Sequence, residues 1–296
     1  MGCGCSVKAV GCLRYSSCIM APMDFQSIAR KSFNRIKRTR WLVVIFAVVI
    51  LGFWLIATPD GLLGKADAVG YAVCHRIDTR SFHLGDRTLP LCSRCSGTYL
   101  GVVLTLSYLT LFKKRAANFP PKMLLFVLGL FFLMYALDGL NSYLSLIPDA
   151  PHLYEPSNLL RLTTGMFFGI SLASIVYPGF NQSLWLQPRN EASLDSIKEL
   201  GILVFTGGLL ILAVILENPL ILYPVALIST VGVLILLTMV YTMVILIITR
   251  KEALAVSWKD LVFPAIGGIT LAILQIGLID LGRYFLMGTW EGFNFL

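Results

Sequence analysis

Residues 220–249 read LILYPVALISTVGVLILLTMVYTMVILIIT, with no charged side chain anywhere in the stretch. A bilayer core about 30 Å thick is crossed by roughly 20 apolar residues in a helix, so this run is long enough to span a membrane. In lipid the backbone polar groups must be satisfied internally, which leaves helices or closed barrels. A barrel strand would alternate apolar and polar positions over about ten residues. The unbroken Leu, Ile and Val here point to a helix.

Six further apolar runs lie outward from it, near 41–57, 96–112, 123–147, 159–178, 200–216 and 260–282. The 296-residue chain is 57% hydrophobic and 14% charged, against roughly 25% charged in soluble domains. The expected fold is an all-α, polytopic integral membrane protein with about seven transmembrane helices. It forms a single domain over 41–296, preceded by a basic, disordered tail over 1–40. No linker is long enough for a separate soluble unit.

The net charge is +8, and its distribution orients the chain. Lys and Arg favour cytoplasmic loops. Residues 1–40 carry Lys8, Arg14, Arg30, Lys31, Arg35, Lys37, Arg38 and Arg40, which places the N-terminus in the cytoplasm. The alternate loops then hold Lys113, Lys114, Arg115 and Lys122, next Arg189 and Lys198, and finally Arg250, Lys251 and Lys259. The basic N-terminal segment reads as a topology signal that meets anionic lipid, and no nucleic-acid partner is expected. Its first residues, MGCGCS, fit a myristoylation pattern at Gly2. A protein with seven spans needs no such anchor, so an over-extended reading frame or a free tail is the preferred reading.

With this orientation the segment 58–95 faces the non-cytoplasmic side of the cell membrane. It contains CHRIDTRSFHLGDRTLPLCSRC, residues 74–95. Cys92-x-x-Cys95 is a spacing that holds one metal ion in a tight turn. Cys74 and His75 are candidates to complete a four-ligand site for zinc, or for iron through thiolate ligation. His83 or His152 could substitute for His75, since neighbours in sequence ligate together only across a bent backbone. An odd number of loop cysteines argues against simple disulfide pairing. Thiol exchange remains open, because Arg94 lies between the two thiols of the pair.

Arg76, Arg80 and Arg94 crowd the same loop, and guanidinium groups are suited to anions. Asp78 and Asp86 can neutralise part of that charge. Asp138 and Asn141 stand one turn apart toward the outer end of the run 123–147. Asn158 and Arg161 open the run 159–178. Charged residues within membrane helices are costly and informative. Asp138 and Arg161 are therefore the candidate catalytic groups, unless they simply pair with each other. Arg76, Arg80, Arg94, Asn141, Asn158 and Arg161 are the candidate anion-binding set. The ligand would be a small anionic molecule or a membrane lipid headgroup. Gly97 and Gly101, and Gly165 and Gly169, form two GxxxG pairs that let helix backbones approach closely. Packing these two helices together would bring the end of the cysteine loop beside Asn158 and Arg161.

Three stretches, CHRIDTRSFHLG (74–85), LPLCSRCSGTYLG (89–101) and NLLRLTTGMFFG (158–169), resemble an uncharacterised family of prokaryotic multi-pass membrane proteins, domain of unknown function 2085. The resemblance covers roughly 70–175 and implies a real site in that region, but no activity. The sequence contains no nucleotide-binding loop, HExxH or GxSxG. Three readings follow: a membrane metalloprotein with an anion-binding surface, a thiol–disulfide oxidoreductase, and a transporter or assembly factor with a stapled outer loop.

Overall fold

The structure, a computed structural model, describes residues 37–147 and 151–291, with side chains from Trp41 onward. The expectations for residues 1–36 and for the tail cysteines lie outside the described residues, while the first helix begins at Lys37, within the segment read as a basic tail. Eight α-helices are present among the described residues: α1 (Lys37–Ala57), α2 (Gly61–Val73), α3 (Ser93–Phe112), α4 (Lys122–Leu144), α5 (Asn158–Leu184), α6 (Ile197–Ile215), α7 (Pro219–Ile248) and α8 (Trp258–Met287). Helices α3 to α8 are each long and apolar enough to cross a membrane. The pair α1–α2, bent by 105° at its break, can supply a seventh span. The protein is a multi-pass membrane protein of the all-α class.

Local sequence sets the helix boundaries. Ser157 accepts a hydrogen bond from Leu160 N (3.2 Å) and starts α5, while Asn218 accepts from Leu220 N (2.9 Å) and starts α7 ahead of Pro219. Side-chain oxygens at this position satisfy amide groups that have no partner within the helix. Ser257 and Asp260 form a reciprocal capping box at α8.

The most extensive helix contact is α3 against α5, and glycine makes it possible. A Cβ at Gly97 would meet Leu162 O at 2.2 Å, and one at Gly165 would meet Arg94 O at 2.2 Å. At Gly101 and Gly169 the corresponding distances to Met166 O and Thr98 O are 2.4 and 2.0 Å. Both GxxxG pairs therefore face each other across one seam, as the sequence suggested. Leu162, Met166 and Ile170 are fully buried along it.

Segment 58–95 differs from the expected open loop. It contains the thirteen-residue helix α2, a 3-10 turn at Asp78–Arg80 and a hairpin of β1 (His83–Leu84) and β2 (Arg87–Thr88). Gly64, Ala66, Ala68 and Gly70 of α2 are buried. Thirteen residues are too few to span a bilayer, and the small residues let α2 pack closely. At the other end of the bundle, β3 (Ala116–Asn118) pairs in parallel with β4 (Arg189–Ala192), and Asn181 Nδ2 holds β3 through Ala116 O (2.9 Å).

Candidate functional site

A close approach builds the cysteine cluster. A Cβ at Gly70 would lie 1.9 Å from Pro90 O, so glycine is required for α2 to rest on the strand that leads into α3. That contact turns Cys74, just past the end of α2, toward Cys92. Cys92 is the N-cap residue of α3, and Cys95 lies in its first turn. The Sγ atoms of Cys74, Cys92 and Cys95 all lie within 4.8 Å of one another, and all three cysteines are free. Cys92 N also donates to Cys74 Sγ at 3.3 Å. Thiol donation from Cys92 and Cys95 holds the Cys74 thiol well below its ordinary value. The donating role pushes the Cys92 thiol up to about 12. The cluster thus concentrates thiolate character at Cys74, the sulfur that both others approach.

His75 lies outside this three-sulfur group. Cys74 is extended (φ −136°, ψ 147°), and in extended backbone successive side chains point to opposite faces. His75 Nδ1 instead accepts from Ile77 N at 3.2 Å. An accepting Nδ1 on a neutral ring places the proton on Nε2. Burial lowers the His75 pKa, and Arg80, Arg94 and Arg161 lower it further against the opposing pull of Cys74. His75 therefore spends its Nδ1 lone pair on Ile77 N, which leaves Nε2 carrying the proton of the neutral ring. His83 and His152 pair with Asp78 (3.1 Å) and Glu155 (3.0 Å) at the surface, away from the thiol group.

The arginines divide into two sets. Arg76 donates to Asp67 Oδ1 (3.0 Å) and to Trp290 O (3.1 Å), and Arg87 contacts the other oxygen of Asp67. The second set converges on one residue of α4, Ser142. Arg80 Nη2 donates to Ser142 O (2.7 Å), Arg94 Nη2 to Ser142 Oγ (2.8 Å) and Arg161 Nε to Ser142 Oγ (3.4 Å). Arg80 comes from the 3-10 turn, Arg94 from the first turn of α3 and Arg161 from α5, so the glycine seam sets their spacing. Burial, with the charge of Arg94 behind it, pulls the pKa of Arg80 down.

Asp138 pairs with Arg94 rather than with Arg161, the partner the sequence suggested. Arg94 Nε donates to Asp138 Oδ2 at 3.0 Å, and Arg94 Nη2 contacts the same carboxylate. Tyr154 OH (2.9 Å, to Oδ1) and Thr164 Oγ1 (3.3 Å, to Oδ2) complete its shell. An aspartate so occupied is poorly placed to act as a base. Arg161 instead binds Asn158 Oδ1 (3.0 Å). Asn158 Nδ2 reaches Thr79 O (3.3 Å), tying the 3-10 turn to α5. Asn141 uses both ends of its amide on the loop after α4, donating to Tyr154 O (2.9 Å) and accepting from Leu153 N (2.6 Å). The two asparagines thus hold backbone in place. Sequence reading did not identify Ser142 or Tyr154, since neither residue belongs to a charged or metal-binding pattern.

The family model described as "Predicted membrane protein (DUF2085)" matches residues 74–175. That stretch begins at the first cluster cysteine and takes in every arginine that meets Ser142. An uncharacterized protein of Methanothermobacter thermautotrophicus is 33% identical over 102 residues, covering 34% of this chain and 81% of the relative. Uncharacterized protein MJ1492 of Methanocaldococcus jannaschii is 26% identical over 118 residues, covering 40% of this chain and 70% of the relative. No solved structure matches. The matched stretch holds this chain's three-cysteine cluster, arginine layer and glycine seam, and the chain belongs to the DUF2085 family of membrane proteins.

Proposed function

We propose that the protein is a membrane metalloprotein whose thiol cluster binds zinc or iron beside an arginine-lined anion site at the non-cytoplasmic face. The observation that carries this reading is the mutual approach of three cysteine sulfurs within 4.8 Å. Metal–sulfur bonds of about 2.3 Å in a tetrahedron put sulfurs roughly 3.8 Å apart, so the cluster needs little movement to close on an ion. Cys74, Cys92 and Cys95 would supply three thiolates. His75, with Nδ1 held by Ile77 N, is the weakest of the four candidate ligands. A three-thiolate site leaves one coordination position for water or substrate, the open arrangement found in catalytic rather than structural zinc sites.

Elemental analysis of the detergent-purified protein tests this. Stoichiometric zinc or iron is expected in the wild type, and its loss in the Cys92→Ser, Cys95→Ser double variant. Metal at background level in the wild type would end the reading. A redox alternative rests on one feature, the Cys74 thiol held below its ordinary value by donation from Cys92 and Cys95, since the thiolate is the attacking form in thiol exchange. A rise in the thiol count of the purified protein on reduction, with no metal present, would favour it. The face is tested at Asp86, which is exposed in the β1–β2 turn. An Asp86→Cys variant should react with a membrane-impermeant maleimide in intact cells, and labelling only after lysis would reverse the proposed orientation.

A further inference from the structure

Charge balance around Ser142 narrows the anion site. Three guanidinium groups meet there, and among the described residues Asp138 is the carboxylate that touches any of them. Arg94 takes that carboxylate. Arg80 and Arg161 are 7% and 6% exposed, and each is held by neutral oxygens alone: Ser142 O and Ser145 Oγ for Arg80, Ser142 Oγ and Asn158 Oδ1 for Arg161. Among the described residues, Arg80 donates only through Nη2, and Arg161 only through Nε and Nη1. Arg80 Nε and Nη1 and Arg161 Nη2 therefore have no protein acceptor among the described residues.

Holding a charge out of water without a counter-charge is unfavourable even after the surroundings relax. Two such charges side by side repel each other as well, and an anion between them would relieve both terms. We infer that Arg80 and Arg161 form a binding site for a doubly charged, tetrahedral oxyanion of the phosphate class, free or carried on a lipid headgroup. A carboxylate would leave one of the two charges uncompensated, whereas a phosphate dianion matches both. Guanidinium forks suit phosphate oxygens geometrically. This inference rests on the anion half of the function proposed above and is independent of the metal half. It reduces the anion-binding set to two arginines, because Asp67 already neutralises Arg76 and Asp138 already neutralises Arg94.

The test uses the full-length protein, delipidated in detergent, with inorganic phosphate as the probe. Binding is followed by equilibrium dialysis and by the thermal transition, with chloride at equal ionic strength as control. Phosphate should raise the transition where chloride does not. Arg80→Gln and Arg161→Gln should each weaken binding by about tenfold or more, as expected when one charge-assisted contact is lost. Arg87→Gln, a basic residue of the same loop lying outside this layer, should bind as the wild type does. Metal content of the arginine variants should stay at the wild-type level, so failure here and failure of the metal reading are separable. If the arginine variants do not fold, the phosphate-specific shift of the wild type still decides the matter.

A second arm places the delipidated protein in phosphatidylcholine nanodiscs with or without phosphatidic acid. A shift with phosphatidic acid but not with inorganic phosphate assigns the site to a headgroup. A shift with inorganic phosphate assigns it to the free ion. No shift in either arm, or phosphate binding that Arg80→Gln and Arg161→Gln leave intact, overturns the proposal.

Discussion

Asp138 and Asp280 are both buried aspartates in the last turns of membrane-spanning helices, 1% and 3% exposed, yet their surroundings are opposite. Asp138 receives Arg94, Tyr154 and Thr164. Among the described residues, neither oxygen of Asp280 has a hydrogen-bond partner of normal geometry, nor does the indole Nε1 of Trp54. Arg283, one turn beyond Asp280, donates to the carbonyls of Tyr71 (2.5 Å), Cys74 (2.6 Å) and His75 (3.3 Å). It binds the end of α2 where Arg94 binds a carboxylate. The first aspartate is a hub whose removal leaves a buried cation stranded. The second has Trp54 and Arg283 as neighbours but no hydrogen bond of normal geometry among the described residues. Burial alone therefore does not say what a membrane carboxylate does; its donors do.

Replacing the hub should produce the largest effect. Asp138→Ala leaves the largely enclosed Arg94 with Ser142 Oγ, a backbone oxygen and the Tyr135 ring among the described residues. Breaking one side of a buried pair costs about 3–5 kcal/mol. A denaturation series in detergent should show a loss of that size, and a loss under about 1 kcal/mol would remove Asp138 from the centre of the site.

A smaller loss is expected from the seam that holds the hub together. Gly169→Ala places a methyl group 2.0 Å from Thr98 O, so α3 and α5 must separate, and overpacking of this kind costs about 1–3 kcal/mol. Separation carries Arg94 away from Asp138, so the two substitutions should be less than additive when combined. The same glycine change combined with an Asp280 substitution should be additive.

Tyr154→Phe removes one donor from Asp138 and should cost about 1.5 kcal/mol, the order of a hydrogen bond to a charged group. Burial and the bond to Asp138 push the Tyr154 phenol up to about 12 from 10.0. A raised value stabilises the fold below the unfolded-state pKa. That contribution is present below about pH 10 and is lost between about pH 10 and 12. The alkaline decline in stability should be shallower in Tyr154→Phe than in the wild type, and identical slopes would contradict the bond.

These contrasts also mark what the sequence could disclose. The apolar run 220–249 became α7 (Pro219–Ile248), and the run 260–282 became α8 (Trp258–Met287), because apolarity over twenty or more residues is a local property. The glycine pairs were legible for a similar reason, since a three-residue gap fixes a helix face. Cys92 and Cys95 share a turn, so their proximity could be read; the approach of Cys74 depends on Gly70 meeting Pro90, a contact between distant segments. Partner choice among the charged groups was hidden. Arg94 and Arg161 both border the seam, and only the starting point of α3 at Ser93 decides which one faces Asp138. Helix α2 was missed because its thirteen residues are too few to span a bilayer and include Lys65 and Asp67.

Asp280→Asn should have the smallest effect, and it tests the comparison most directly. Because no donor reaches the carboxylate in normal hydrogen-bond geometry among the described residues, an amide of the same shape removes the acid without breaking such a bond. Stability should change by less than about 1 kcal/mol, in either direction, since replacing a buried polar group that makes no bond forfeits none of the usual hydrogen-bond contribution. Asp138→Asn, measured in parallel, keeps the shape but removes the charge that balances Arg94, so it should be clearly destabilising. Equal losses in the two variants would mean that Asp280 balances Arg283 through space as firmly as Asp138 balances Arg94 by contact. The bundle would then have two ionic hubs at its cysteine end, one on each side of the thiols.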